Sequence, residues 1–106
     1  MPTFNDREKG YETEFSHSQE VGFKVTARRN KLLGLWAAQQ LGLSADAASA
    51  YALALVDLAV EAHSDAAVLD KVVRDLEAKG VPCSQEQIKD RMQRLAAEAR
   101  KQLLSE

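Results

Sequence analysis

Ala27-Arg28-Arg29-Asn30-Lys31-Leu32-Leu33-Gly34-Leu35-Trp36-Ala37-Ala38 joins two physically different parts of this chain. Upstream the residues are mostly polar, with Phe4, Tyr11 and Phe15 as the main apolar anchors. Downstream lies a body rich in alanine and leucine. A cationic cluster stands directly before the single tryptophan, at the boundary between a charged segment that cannot bury itself and a small helical unit that can.

Outward from that boundary the chain reads as helix. The two prolines are Pro2 and Pro82, strand-like alternation is absent, and Ala, Leu, Gln, Glu, Lys and Arg favour helical backbone. The fold class is all-α: a small four-helix bundle with a protruding, flexible N-terminal segment. Residues 1–20 form that segment, disordered or frayed when free, and 21–106 form the bundle, with helices at about 21–41, 45–62, 65–79 and 85–104. The first carries Val21, Val25, Leu32, Leu35 and Trp36 on one side, with Trp36 as a core anchor, and Gly42 closes it. The second is capped by Ser44 and has one narrow stripe of Asp46, Ser49, Leu53, Asp57 and Glu61. Its remaining surface is apolar, so it reads as the central helix. The third starts after Ser64 and buries Val68, Leu69, Val72, Val73 and Leu76. Gly80 suits a left-handed C-cap, with Val81 as its apolar contact and Pro82 as a block. In the fourth, Ser84 and Gln87 have capping-box spacing and Cys83 and Ile88 that of a hydrophobic staple; Ile88, Met92, Leu95, Ala99 and Leu103 face inward.

The totals exclude several classes. A chain of 106 residues has room for one domain. A formal net charge of −2 argues against a nucleic-acid module, whose footprint is strongly basic. One cysteine cannot form an internal disulfide. No basic region followed by an apolar run marks a signal peptide. The longest greasy stretch, 47–62, is interrupted by Asp57 and Glu61 and is too short to span a bilayer, so direct membrane insertion is not expected. The reading is a cytoplasmic protein, or one facing the cytoplasm on a larger assembly.

No catalytic motif is visible. His17 and His63 lack companions at metal spacing, so neither a metal site nor any cofactor is expected. His63 suits a helix C-terminus, where positive charge is favourable. Ser44 and Ser84 read as caps. Cys83 has no base in sequence reach and reads as packing rather than as a reactive thiol. Gly10, Gly22 and Gly34 match no phosphate cradle. Arg28, Arg29 and Lys31 form the one charge run that could meet an anion. Successive residues on a helix point about 100° apart, so Arg28 and Arg29 cannot both face one surface squarely. In the N-terminal segment, Tyr11 follows Phe4 by seven residues and Phe15 follows Tyr11 by four, which places the three on one helical face. Gly10 and Gly22 each cost about 1 kcal/mol of helix propensity against alanine. The segment is therefore expected to complete its helix against a partner.

Phe4-Asn5-Asp6-Arg7-Glu8-Lys9, Phe15-Ser16-His17, Glu20, Phe23-Lys24 and above all the dodecamer from Ala27 to Ala38 resemble the zeta subunit of alphaproteobacterial F-type ATP synthases. The order of caps and helices resembles that family nearly end to end. The resemblance implies an inhibitor of ATP hydrolysis, not an enzyme. Its N-terminal segment would fold as a helix in a catalytic interface between the F1 alpha and beta subunits, touching the gamma rotor, while the bundle braces it from outside. Carried over by position, the inhibitory segment is about 2–19, with Phe4, Arg7, Glu8, Tyr11, Glu12, Phe15 and His17 as contacts. A rival reading is a small helical adaptor or adenine-nucleotide-binding module. There Arg28, Arg29 and Lys31 would meet phosphates, while Trp36 or Tyr51 stacks on the base.

Overall fold

The structure, a computed structural model, describes residues 4–106, with side chains from Glu20 onward. Four helices follow one another: α1 (Phe4–Gln40), α2 (Ala45–Ala62), α3 (Asp65–Ala78) and α4 (Gln85–Ser105). Among the described residues there is no strand.

The connections are short because local chemistry stops each helix sharply. At the end of α1, Leu43 N–H donates to Ala38 C=O (3.0 Å) and Gly42 N–H to Gln39 C=O (3.1 Å), with Gly42 at φ 73°. At the end of α3, Val81 N–H donates to Leu76 C=O and Gly80 N–H to Glu77 C=O, both at 2.9 Å, with Gly80 at φ 81°. These are Schellman closures, and only glycine adopts that left-handed turn without a Cβ penalty. Val81 packs against the core, as expected of the residue after such a cap. The three downstream helices start on serine: the hydroxyls of Ser44, Ser64 and Ser84 accept from the backbone N–H of Ala47, Ala66 and Gln87. Gln87 Oε1 returns the bond to Ser84 N–H at 3.0 Å, completing the capping box. Between α2 and α3 a single residue, His63, takes the left-handed turn at φ 50°.

The core gathers Leu33 and Ala37 of α1, Leu55 of α2, Ile88 and Met92 of α4, and the whole stripe of Val68, Leu69, Val72, Val73 and Leu76 read for α3. Two expectations change. The central helix is α1, which packs against α2, α3 and α4. On α2 only Ala52 and Leu55 are fully buried, while Leu53 and Val60 stand in solvent. The buried face of α1 is Arg29, Asn30, Leu33, Gly34, Ala37 and Ala38, rather than the larger residues read from periodicity. Val21, Val25, Leu32 and Trp36 are half-buried flanks, and Leu35 is exposed. The reason is steric. A helix surrounded on three sides admits its neighbours most closely where its side chains are small.

Gly34 marks the closest of these approaches. An ideal Cβ built there lies 2.4 Å from Ala52 Cα, so the backbones of α1 and α2 nearly touch.

The helix α1 also begins at Phe4, well before the start near residue 21 read for the bundle. Helix propagation is cheap once a nucleus exists, so a length already packed in the bundle can extend through Gly10 and Gly22. Its 37 residues span about 55 Å at 1.5 Å per residue. The other helices have 14 to 21 residues, and the molecule is accordingly elongated, 62 × 24 × 23 Å.

Two glycines of α1 make opposite predictions. Gly34→Ala should destabilise the bundle by about 1–3 kcal/mol, because α1 and α2 must separate and that outweighs the helix propensity gained. Gly22 has nothing within 4 Å of its ideal Cβ. Gly22→Ala should therefore stabilise α1 by about 0.5–1 kcal/mol. Thermal melts followed by circular dichroism at the helical band distinguish the two.

Candidate functional site

The feature that bears on function is the emergence of α1 from the bundle and the way it is fixed there. Arg29 and Asn30 are both buried where the helix enters the packed region. The Arg29 guanidinium donates twice to Asn30 Oδ1, from Nε at 3.1 Å and Nη2 at 2.8 Å. It also reaches Asp65 at the start of α3, with Nη2 2.7 Å from Oδ1 and Nη1 3.4 Å from Oδ2. Arginine only donates, so these bonds fix the Asn30 amide with its oxygen toward Arg29. The Asn30 Nδ2 is then buried without a partner in the described structure. The adjacent Arg28 turns the other way, to α4. Its Nη1 donates to Gln102 Oε1 at 3.0 Å and its Nη2 to Glu106 Oε1 at 2.7 Å. The two arginines thus tie α1 to the start of α3 and to the end of α4, as their angular separation on the helix requires.

Lys31 is exposed. It shares a groove with Arg28, whereas Arg29 lines a different one with Asp65, Leu69 and Met92. The three cations read as an anion contact are therefore not brought together, and the two arginines already have acidic or amide partners. The aromatic rings of the nucleotide reading are engaged as well. Arg91 covers the ring of half-buried Trp36, its guanidinium carbon 4.2 Å from the ring centroid. Tyr51 donates its hydroxyl to Asp75 Oδ2 at 2.7 Å, and Lys71 sits 3.1 Å from that same oxygen and 5.4 Å from the ring centroid. Burial, then the bond to Asp75 and its charge, push the Tyr51 phenol well above its ordinary value. Burial and the nearby Glu77 likewise push the Cys83 thiol up, which disfavours the thiolate. His63 is exposed at its helix end.

Beside the root of α1 lie two open grooves that share Phe23, Ala27 and Val56 as walls. One, of about 480 Å³, is lined by Gly22, Thr26, Asn30, Val60 and His63 in addition. The other, of about 710 Å³, adds Val21, Lys24, Arg28, Leu53 and Leu104. The side chains of Phe4, Arg7, Glu8, Tyr11, Glu12, Phe15 and His17 lie outside the described residues. Sequence reasoning missed Asn30 and Asp65 as partners of Arg29. The available signal was an asparagine inside a helix, where it is a poor former and so needs a reason to be there. Among the described residues, no helix is long and apolar enough to cross a membrane.

A long central helix projecting from a capped bundle, held there by Arg28 and Arg29, defines a small all-helical bundle protein. Residues 1–102 match the family described as ATPase inhibitor subunit zeta, and the chain belongs to that family. It is a non-enzymatic inhibitor directed at the F1 sector of ATP synthase. A protein solved in solution by NMR is 41% identical in sequence, covering 78% of this chain and 94% of its own, with a TM-score of 0.64. No curated protein matches.

Unequal roles for the two arginines lead to unequal costs. Arg29→Ala strands Asn30 Oδ1 in the interior and should cost about 1–3 kcal/mol of stability. Arg28→Ala breaks a pair that is partly in solvent and should cost about 1 kcal/mol or less. Urea titrations of the two variants give the comparison. For Tyr51 the folded state favours the neutral phenol. Its contribution to stability is complete below the unfolded pKa of about 10 and is lost as pH rises through the higher folded value. In a Tyr11→Phe background, the phenolate absorbance should rise later than for free tyrosine, and Asp75→Asn should bring the midpoint back down.

Proposed function

We propose that residues 2–19, which include the N-terminal part of α1, are the inhibitory element. It enters a catalytic interface between the alpha and beta subunits of F1 as a helix and touches the gamma rotor. ATP hydrolysis requires that interface to close around nucleotide, and a helix lodged in it prevents closure. The observation that carries this reading is the unbroken run of α1 from Phe4 to Gln40. It joins the polar segment to the bundle through one hydrogen-bonded rod, so the bundle can hold the segment at a set distance and direction. The protein acts from the cytoplasmic face of the membrane-bound enzyme.

The spacing of Phe4, Tyr11 and Phe15 supports the assignment, since three aromatics on one face suit an apolar wall supplied by a partner. Each contributes about 1.5–3 kcal/mol when fully buried. Arg7, Glu8, Glu12 and His17 supply charge pairing and register, which favour one partner surface over others. Together they offset part of the cost of ordering the segment against F1, at about 1–2 kcal/mol per residue.

Deletion of residues 2–19 should leave the melting transition of the bundle in place and abolish inhibition of ATP hydrolysis by the cognate F1. Amide exchange in the same segment of the full chain should slow on addition of F1. A truncated chain that still inhibits would assign the activity elsewhere.

A further inference from the structure

Inside the bundle α1 is covered on three sides and open on the fourth. Among the described residues α2 and α4 each pack on α1 and on α3 but not on each other, so a trough runs along α1 between them. Its floor is Lys24, Arg28 and Lys31, and its walls are Leu53 and Val56 of α2 and Leu103 and Leu104 of α4. Leu53 is 61% exposed and Leu104 71%, so neither wall is covered. Lys31 is exposed and has no acidic partner among the described residues. Apolar walls about a cationic floor suit a helix that brings carboxylates.

The sequence of α1 supplies such a helix. Residues 4–20 carry Asp6, Glu8, Glu12, Glu14 and Glu20 against Arg7 and Lys9, a net charge of −3. Residues 21–40 carry Lys24, Arg28, Arg29 and Lys31 and no acid, a net charge of +4, of which Arg29 is turned away to Asp65. The sign changes at the level where the bundle begins, for Gly22 lines a groove with His63 at the end of α2, and Arg28 reaches Glu106 at the end of α4. Because α1 is one unbroken helix from Phe4 to Gln40, its acidic half points away from its own trough. A second copy running antiparallel brings its acidic half straight to it.

We propose that two copies of this chain pair antiparallel along α1, each laying residues 10–20 of its helix in the other's trough. Positions 24, 28, 31 and 35 are spaced by four and three, and the same spacing continues upstream through 21, 17, 14 and 10, the repeat of two helices packed side by side. Opposing the first position to the last sets Gly10 at Leu35, Glu14 at Lys31 and Val21 at Lys24, with Glu20 alongside. It sets His17 at Arg28, whose charge Glu106 already answers. The same patch serves on both copies, closed about a two-fold axis between Gly22 and Phe23. The two bundles then meet end to end, and Phe23, 68% exposed, lies with Leu104 where they meet. On the inhibitory reading given above, the pair is a store: residues 10–19 are occupied in it, and the single chain is the form that enters F1. The pairing itself does not depend on that reading.

The test is sedimentation equilibrium of the full chain without F1, at low salt and from about 1 μM to 1 mM. The average mass should climb from one copy toward two, and about 0.5 M salt should weaken the association about tenfold. Glu14→Lys combined with Glu20→Lys, and separately Lys24→Glu combined with Lys31→Glu, should each give a chain that stays single throughout and keeps the helical circular dichroism of the unaltered protein. An equimolar mixture of the two variants should associate again, since each altered segment then faces a trough of opposite sign. An unaltered chain that stays single at every concentration would overturn the pairing. So would association that the reversals leave untouched, or reversed variants that stay single when mixed. If the chain pairs as described yet fails to inhibit ATP hydrolysis by the cognate F1, the inhibitory reading falls and the pairing stands.

Discussion

The near contact of the α1 and α2 backbones at Gly34 and Ala52 sets the terms for the rest of the bundle. Helices normally pack with axes about 8–10 Å apart, the separation depending on the side chains between them. Here a hydrogen and a methyl are all that intervene. That proximity draws α1 into the middle, so that α3 and α4 can also reach it, and leaves much of the outer surface of α2 in solvent. The small residues beyond Gly34, Ala37 and Ala38, are fully buried as well. A bundle built this way gets little core volume from its central helix. Beside Leu33 of α1 and Leu55 of α2, most of the buried aliphatic side chains come from α3 and α4, and α3 and α4 have the clearest amphipathic patterns.

That division explains which parts of the structure were legible in the sequence. The caps were, because each is a local bond between residues a few positions apart. Ser84 and Gln87 make both halves of their box, and Gly80 and Val81 close α3 as their identities demand. The face of α3 was legible because the helix packs on one side only. The face of α1 was not. Periodicity weighs residues by hydrophobicity, and it chose Leu35 and Trp36 over Gly34 and Ala37. Close packing weighs them by size, in the reverse order. The same bias made α2 look central, since its alanines count as apolar whether or not anything covers them. Apart from Asn30 beside Arg29, the partners of the two arginines lie 36 to 78 residues away in sequence, and no local pattern contains that information.

The two arginines also show how a charge run can be structural without being inert. Arg29 brings a full charge into a buried position and is compensated by Asn30 and by a carboxylate at the head of α3. Arg28 fastens the same stretch to the tail of α4. Together they hold the central helix from two directions at the level where it leaves the packed region. Under the reading proposed above that arrangement has a purpose, since a projecting rod serves as a blocking element only if its base does not yield.

Because α1 is a single helix, its axial rotation is common to both ends. The side of the rod that faces outward beyond the bundle is dictated by which residues face inward at Asn30, Leu33 and Ala37. Adding or removing one residue between 20 and 27 would swing everything upstream by about 100° while moving it only about 1.5 Å along the axis. Length in that interval is therefore quantised. Whole turns could be gained or lost together, but a single-residue slip would turn every upstream position to a different side of the rod.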